Sequence, residues 1–529
     1  MSEVASSNTL EDNLLSRVAL GDTLHRSART FGDKIALVDG ARRMPYAALD
    51  ADSNRFAHHL LASGLKPGDK VAMVCANSAQ FLVAAYGILK AGLVWVPINA
   101  MLAPDDVRYI IEHAEAKLVV VDDRLYGHLQ PMLDALGLPI RLCESGAPAT
   151  AMSTLSRVLQ GMPDTLPEVV IDDRDLALIM YTSGTTGRPK GAMHSHRSVH
   201  AAVMSNISML GIGPADVFSC ILPLFHCAQF ATAAASLTAG ATLVIQHGFD
   251  PTAVLDALAR ERITHMFGLP LMYAALLVHP QRDLSALRLC LYAMAPMPEP
   301  LLKRLIAEVC PNFALGSGQT EIFPMTQYFA PDQQLWRTGN CWGQPAIVNE
   351  TAVMDDTGKL LGPGQIGEIV HRGPNVMLGY YKDPQATANA RRFGWHHTGD
   401  LGMWDADGQL QFKDRIKDMI KTGGENVPSI KVEEVLLRHP AVANAAVVGL
   451  PHAHWIEAVA AFVCLKPDAQ VDAQVDSAAL QAHCREHLAG FEVPKVITVL
   501  DKLPMTATGK VQKHVLRTAN QSLFDGESR

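Results

Sequence analysis

The sequence lacks paired cysteines. Its nine cysteines (Cys75, Cys143, Cys220, Cys227, Cys290, Cys310, Cys341, Cys464 and Cys484) are scattered, odd in number, and form no Cys-x-x-Cys pair. That excludes a disulfide-stapled scaffold and a zinc ribbon and leaves most of these thiols as small core residues. A long apolar run is also missing. None approaches the roughly 18 residues of a membrane span, so no integral membrane segment is expected. Nor is there a basic stretch. Lys and Arg total 45 against 53 Asp and Glu, a formal charge of −8, which argues against a nucleic-acid partner. Residues 1–12 are polar and acidic, without the basic and apolar regions of a signal peptide. The last four residues are not a peroxisomal Ser-Lys-Leu address. A reducing cytoplasm is the expected compartment.

What is present is a long, well-patterned globular chain. At 529 residues it exceeds one ordinary core, and 48% hydrophobic with 19% charged residues suits a folded enzyme. From Lys66 onward, elements alternate. Val71 to Cys75 reads as a strand, Asn77 or Ser78 caps a helix ending at Gly92, and Leu93 to Pro97 is a strand. Pro104 to Ala114 is a helix opened by Pro-Asp-Asp, and Leu118 to Val121 is a strand. Such alternation predicts a parallel α/β sheet. Residues 140–175 show little periodicity and read as connection. Elements between Leu176 and Tyr292 repeat the α/β character as a second layer. From about 351, glycine and proline crowd short strands, which predicts a small β-rich subdomain over 351–414. The charged run Asp414-Arg415-Ile416-Lys417-Asp418 marks a boundary, and an α+β segment follows. The expected fold is therefore α/β, with an N-terminal domain over 1–414 and a small α+β C-terminal domain over 415–529.

Chemistry concentrates in Tyr181-Thr182-Ser183-Gly184-Thr185-Thr186-Gly187-Arg188-Pro189-Lys190-Gly191, which follows the apolar strand Leu176 to Met180. Gly184 and Gly187 let the backbone approach a ligand, and successive N–H groups can form an anion nest. Thr182, Ser183, Thr185 and Thr186 add hydroxyl donors, and Arg188 and Lys190 add charge. The combination suits phosphate. It is not a Walker A loop, because Arg188-Pro189-Lys190-Gly191 stands where Gly-Lys-Ser/Thr is required.

At this length the loop resembles the phosphate-binding signature of the adenylate-forming superfamily: acyl- and aryl-CoA synthetases, peptide-synthetase adenylation domains and luciferases. Four further stretches resemble its motifs in order. Gly316-Ser317-Gly318-Gln319-Thr320-Glu321 is similar to aromatic-Gly-x-Thr-Glu, with Ser317 in place of the aromatic that packs on adenine. The others are Thr398-Gly399-Asp400, Asp414-Arg415-Ile416-Lys417-Asp418 with Lys421-Thr422-Gly423-Gly424, and Leu503-Pro504-Met505-Thr506-Ala507-Thr508-Gly509-Lys510. The resemblance implies a carboxylic acid–CoA ligase using ATP, Mg2+ and coenzyme A, with a mobile C-terminal domain. It implies catalytic roles for Lys510, Thr186, Glu321 and Lys421. ATP contacts would come from Thr182 to Gly187, Lys190, Gln319, Thr320, Asp400 and Arg415, and Glu321 would hold Mg2+. Lys417 would be the hinge, and Gly423 with Gly424 would line the CoA tunnel.

The acyl pocket is expected at His226, Phe230, Ala293, Met294, Ala295 and Ser317. Its lining is largely apolar, with no evident cation for a second carboxylate and no buried Asp suited to an amino group. That favours a medium-sized aliphatic or aromatic monocarboxylate. Two other readings stand beside it: an adenylating enzyme that loads a carrier protein, and a non-catalytic nucleotide-binding member. Coenzyme A is favoured as acceptor because the chain ends soon after Lys510. A homodimer is compatible with the sequence.

Overall fold

The computed structural model describes residues 9–144, 154–182, 188–279, 282–293, 297–337, 340–466, 476–505 and 511–525. Three sheets organise them. The first has seven strands and is parallel through Val94–Pro97, Lys70–Val74, Ala116–Asp122 and Ile140–Cys143. Its other end is antiparallel: Leu176–Thr182 pairs with Lys190–Ser195, which pairs with the two-residue strand Gly379–Tyr380. The second sheet runs parallel from Ile35–Asp39 to Phe313–Gln319. It then continues without a break into antiparallel strands: Ile322–Phe329, Cys341–Pro345, Leu410–Arg415, Trp395–Trp404, Gly367–Arg372 and Glu350–Met354. These last strands, from Cys341 onward, are part of the second sheet.

Helices pack between the first two sheets. Tyr46–Ala62, Ala79–Lys90, His196–Leu210 and Cys227–Thr238 contribute to one apolar cluster with residues of both sheets, among them Phe56, Phe81, Trp95 and Phe230, all fully buried. Burying aromatics of this size contributes heavily to the layer contact. One charge lies inside this layer. Lys90 Nζ donates to Asp50 Oδ1 at 2.5 Å and to Ser53 Oγ and Asn54 Oδ1 at 2.7 Å, so the buried ammonium is fully partnered.

The third sheet is built from residues beyond 419: Glu425–Val427, Ile420–Thr422, Ile456–Leu465 and Val442–His452 antiparallel, with Val496–Val499 parallel at one side. Helices Ser429–Arg438 and Ser477–His487 cover one face through Val432, Val435, Leu436, Leu480 and Cys484. Leu503, Leu516 and Phe524 cover the other.

Local chemistry explains most of these elements. Ser78 caps its helix by accepting from Phe81 N, and Pro104–Ala114 carries Pro, Asp105 and Asp106 in its first turn. One reading needs correction. Residues 140–175 are not merely connection: Ile140–Cys143 is a parallel edge strand beside Val119 to Asp122, followed by the short helix Leu155–Val158. Ahead of the first strand lie two helices, Leu10–Ser16 and Leu20–Phe31, separated at Arg17, whose backbone is extended.

Candidate active site

Two hairpins meet at the carboxyl ends of the parallel strands. The first is Leu176–Thr182 with Lys190–Ser195, paired so that Thr182 faces Lys190. Ser183, Gly184, Thr185, Thr186 and Gly187 lie outside the described residues, and Thr182 and Lys190 flank them. Arg188 stacks over the Tyr109 ring at 4.8 Å. Lys190 Nζ lies 5.3 Å from the Tyr380 ring centre and 4.0 Å from Asp383. Glycine is required at 191, because a Cβ there would stand 2.7 Å from Ile179.

The second hairpin is Phe313–Gln319 with Ile322–Phe329. Gln319 pairs with Ile322, which puts Thr320 and Glu321 on the turn. Gly316 and Gly318 permit the close pairing, since a Cβ at either would meet Met325 Sδ at 2.7 Å or Pro324 Cβ at 2.6 Å. His194 ties the hairpins together by donating from Nε2 to the Thr320 carbonyl at 2.6 Å. Burial lowers its pKa to about 4, so the ring is neutral and Nε2 carries its proton. Tyr380 makes the second tie. Its hydroxyl donates to Glu321 Oε1 at 2.9 Å, while its backbone pairs with Ala192 of the first hairpin. Burial first, and then the Glu321 charge, raise the phenol's pKa and keep it a donor.

From the same turn, Gln319 Nε2 donates to Asp400 Oδ2 at 2.8 Å and to the Thr398 carbonyl at 3.0 Å. Asp400 pairs across the ladder with Arg415, whose Nε lies 3.5 Å from Oδ1. A nearly buried carboxylate therefore stands between an amide and a guanidinium. The structure thus joins Lys190, Gln319, Thr320, Glu321, Asp400 and Arg415 by direct bonds or through His194 and Tyr380. Sequence reasoning missed both bridging residues. Tyr380 lies 59 residues from Glu321 with no local signal, and His194 reads as an ordinary core histidine.

The acyl-side residues are less uniform. His226 caps the helix Cys227–Thr238, its Nδ1 accepting from Ala228 N at 3.3 Å, and Cys227 Sγ lies 3.6 Å from Thr320 Oγ1. Phe230, one turn on, is fully buried against Trp95 with ring centres 4.6 Å apart. Ala293 is buried just beyond Leu289–Tyr292, and Met294 and Ala295 lie outside the described residues. Ser317 is half-buried, and its Oγ is enclosed without a hydrogen-bond partner among the described residues. A crevice of about 460 Å³ lined by Leu210, His265, Arg288 and Asn312 lies at the amino ends of the same strands, away from these residues. Ligands of open α/β sheets bind at carboxyl ends.

Beyond Arg415, Lys417 is exposed. Local packing and the cations Arg415 and Arg517 lower its pKa against the pull of Asp418 and Asp400. Lys421 is exposed on Ile420–Thr422, its amide donating to Glu457 Oε2 at 2.7 Å. Gly423 and Gly424 form the two-residue turn to Glu425–Val427, with φ of +58° and +89°, a conformation that favours glycine at both positions. Asp414 Oδ2 caps the next helix by accepting from the Ser429 backbone amide and, at 2.8 Å, from Ser429 Oγ, and Arg517 bonds Asp418 at 2.7 Å. Lys510 lies outside the described residues.

Comparison with known proteins agrees with this geometry. The AMP-binding enzyme family matches residues 24–381, and the AMP-binding enzyme C-terminal domain matches residues 431–510. The chain belongs to the AMP-binding enzyme family. Within it, the chain is 33% identical to a feruloyl-CoA synthase of an Amycolatopsis species over 506 residues, covering 94% of this chain and 98% of the relative. Among solved structures, ATP-bound MatB from Rhodopseudomonas palustris superposes with a TM-score of 0.88 at 30% identity, over 96% of this chain and all of that one. Apo MatB gives 0.78 over the same shares. The arrangement described here is thus more similar to the ATP-bound form. The AMP-forming acyl-CoA synthetase chemistry of this adenylate-forming family extends to this chain.

Proposed function

We propose that this acid–CoA ligase activates a medium-sized aliphatic or aromatic monocarboxylate, with the nucleotide held by the paired hairpins. One observation carries the reading: the Gln319-Thr320-Glu321 turn is bonded at once to the phosphate-type hairpin, through His194 and Tyr380, and to the Asp400–Arg415 pair. A turn that connects hydroxyls and cations on one side with a two-oxygen acceptor on the other matches a nucleotide, triphosphate to ribose.

In this reading Thr182 to Gly187 and Lys190 hold the phosphates, and Asp400 accepts the ribose hydroxyls with Arg415 beside it. The residues fit Mg2+. Glu321 offers hard carboxylate oxygens, one fixed by Tyr380, and among the described residues nothing bonds the other. Bound there, the ion would offset phosphate charge. An oxygen of the acid attacks the α-phosphorus, the bond to the β-phosphate oxygen breaks, and pyrophosphate leaves. Lys510 bridges the carboxylate and α-phosphate oxygens. The coenzyme A thiolate then attacks the acyl carbon, the acyl–phosphate bond breaks, and AMP leaves. Between the steps the C-terminal domain, from 415 on, turns about Lys417, withdrawing Lys510 and bringing Lys421, Gly423 and Gly424 to the cleft. His226, Phe230, Ala293, Met294, Ala295 and Ser317 shape the acid site. The Trp95-backed Phe230 and the absence of a carboxylate, lysine or arginine among these six support a compact, singly charged acid. The feruloyl-CoA synthase relative supports an aromatic one.

The test is pyrophosphate release across acids from acetate to long chains, with benzoate and cinnamate types, with and without coenzyme A. Turnover confined to one compact class and dependent on coenzyme A is expected. Lys510→Ala should abolish adenylation and leave thiol attack on supplied acyl-adenylate largely intact. Equal loss of both half-reactions refutes the role given to Lys510. Release without coenzyme A points to a carrier-protein acceptor.

A further inference from the structure

A cluster of metal-ligating side chains lies outside the nucleotide site. On the helix Ser477–His487, the run His483-Cys484-Arg485-Glu486-His487 places His483, Glu486 and His487 on one face, at i, i+3 and i+4. One ligand atom from each lies within 4.8 Å of the other two, and Glu486 and His487 are exposed. On a tetrahedral zinc ion, ligand nitrogens about 2.1 Å from the metal stand about 3.4 Å apart, so modest side-chain rotation closes the set. Cys484 points the other way, into the core, and is no ligand.

The outer partners are in place. His483 Nε2 bonds the Val435 carbonyl at 3.0 Å, which leaves Nδ1 as the basic nitrogen. His487 Nδ1 bonds the His483 carbonyl at 3.0 Å, which leaves Nε2. A ring N–H held by a backbone carbonyl is the usual support of a metal-bound histidine, because it sets both tautomer and orientation. A further imidazole, His439, stands edge-on to His483 with ring centres 5.2 Å apart. The cluster occupies the last turn of its helix, where unpaired carbonyls favour a cation. Arg485 on the same helix and Lys466 beside His439 oppose it.

We propose that His483, Glu486 and His487, with His439 adjoining, form a surface site for one borderline divalent ion of the zinc type. Two imidazoles and a carboxylate suit Zn2+, Cu2+ or Ni2+ and not Mg2+, which takes oxygen. With His439 engaged, the ion would join the end of the helix Ser429–Arg438 to the helix Ser477–His487 within the third-sheet unit.

The experiment is competition of Zn2+ against a chromophoric chelator with full-length, nucleotide-free protein, followed by X-ray absorption of the zinc-loaded protein. Loss of an outer partner alone commonly costs about 10–100-fold in affinity, so His487→Gln, which removes a ligand, should weaken binding at least about tenfold. Glu486→Gln, at an exposed position, should also weaken it and serves as the decisive variant if His487→Gln unfolds. The expected first shell is nitrogen and oxygen. Unchanged affinity in the folded variants, a sulfur-dominated shell, or no competition with the chelator overturns the proposal.

Discussion

His194 offers a test in which structure, charge and pH are worked together. Its ring is buried, neutral, and donates to the Thr320 carbonyl. An unfolded histidine titrates near pH 6.5, and in the fold burial lowers His194 to about 4. The unfolded chain therefore binds the extra proton first as pH falls. The contribution of His194 to stability is fully present above about pH 6.5 and is lost as pH falls through its folded pKa. Linkage across that gap gives a loss of about 2 kcal/mol between pH 8 and pH 5 from this one ring. His194→Gln keeps an N–H donor and removes the titration. Urea denaturation of both proteins at pH 8 and pH 5 isolates the difference, because His196 and His371, also lowered by burial, contribute equally to each. The variant should lose about 2 kcal/mol less than the parent on acidification. Parallel losses would refute a buried neutral His194. His194→Ala, lacking the donor, should also slow acid-dependent pyrophosphate release by loosening the Thr320–Glu321 turn.

Tyr380→Phe removes one donor from the Glu321 carboxylate, a bond to a charged group worth about 1.5–3 kcal/mol. Adenylation should fall at least about tenfold, with a shifted Mg2+ dependence, and an unchanged Mg2+ titration of pyrophosphate release would count against the tie. Asp400→Asn should lower kcat/KM for ATP by about 10–100-fold, the same bond energy expressed as a rate ratio. Steady-state kinetics at saturating acid read this out, and the acid's own KM should stay put. Gly423→Ala and Gly424→Ala each impose a left-handed residue, costing about 1 kcal/mol, but only at 423 does the new Cβ stand 2.8 Å from the Trp455 ring, while 424 faces open space. Thioester formation should suffer more at 423 than at 424, and Trp455→Ala should restore part of it. A double variant no better than Gly423→Ala removes the steric argument.

Legibility from sequence followed locality. The helix Pro104–Ala114 was readable to the residue because its signals are its own: proline and two aspartates at the start and apolar Val107, Ile110, Ile111 and Ala114 on one face. Motif stretches were readable because their chemistry is contiguous, and the fold brings Gln319, Asp400 and Arg415 side by side. Ile140–Cys143 was missed because four residues carry no period, and its strand character comes from pairing with Val119 to Asp122. Tyr380 was missed for the same reason on a larger scale. Its function follows from a two-residue strand joining a distant hairpin, which nothing in Gly379-Tyr380 announces.

The unbroken second sheet has a consequence for how such an enzyme diversifies. Asp400 and Arg415 face each other on neighbouring strands, and Glu321 sits on a hairpin turn of the same sheet, so their spacing is machined into one backbone ladder. Most residues proposed to meet the acid sit off that ladder, in the first turn of a helix and on the segment after Tyr292, with Ser317 on the strand Phe313–Gln319. On the proposed reading, a fixed jig for the nucleotide beside an exchangeable socket for the acid allows substitutions in the socket to accumulate while the jig stays in true. In evolutionary terms, the substrate can drift faster than the reaction.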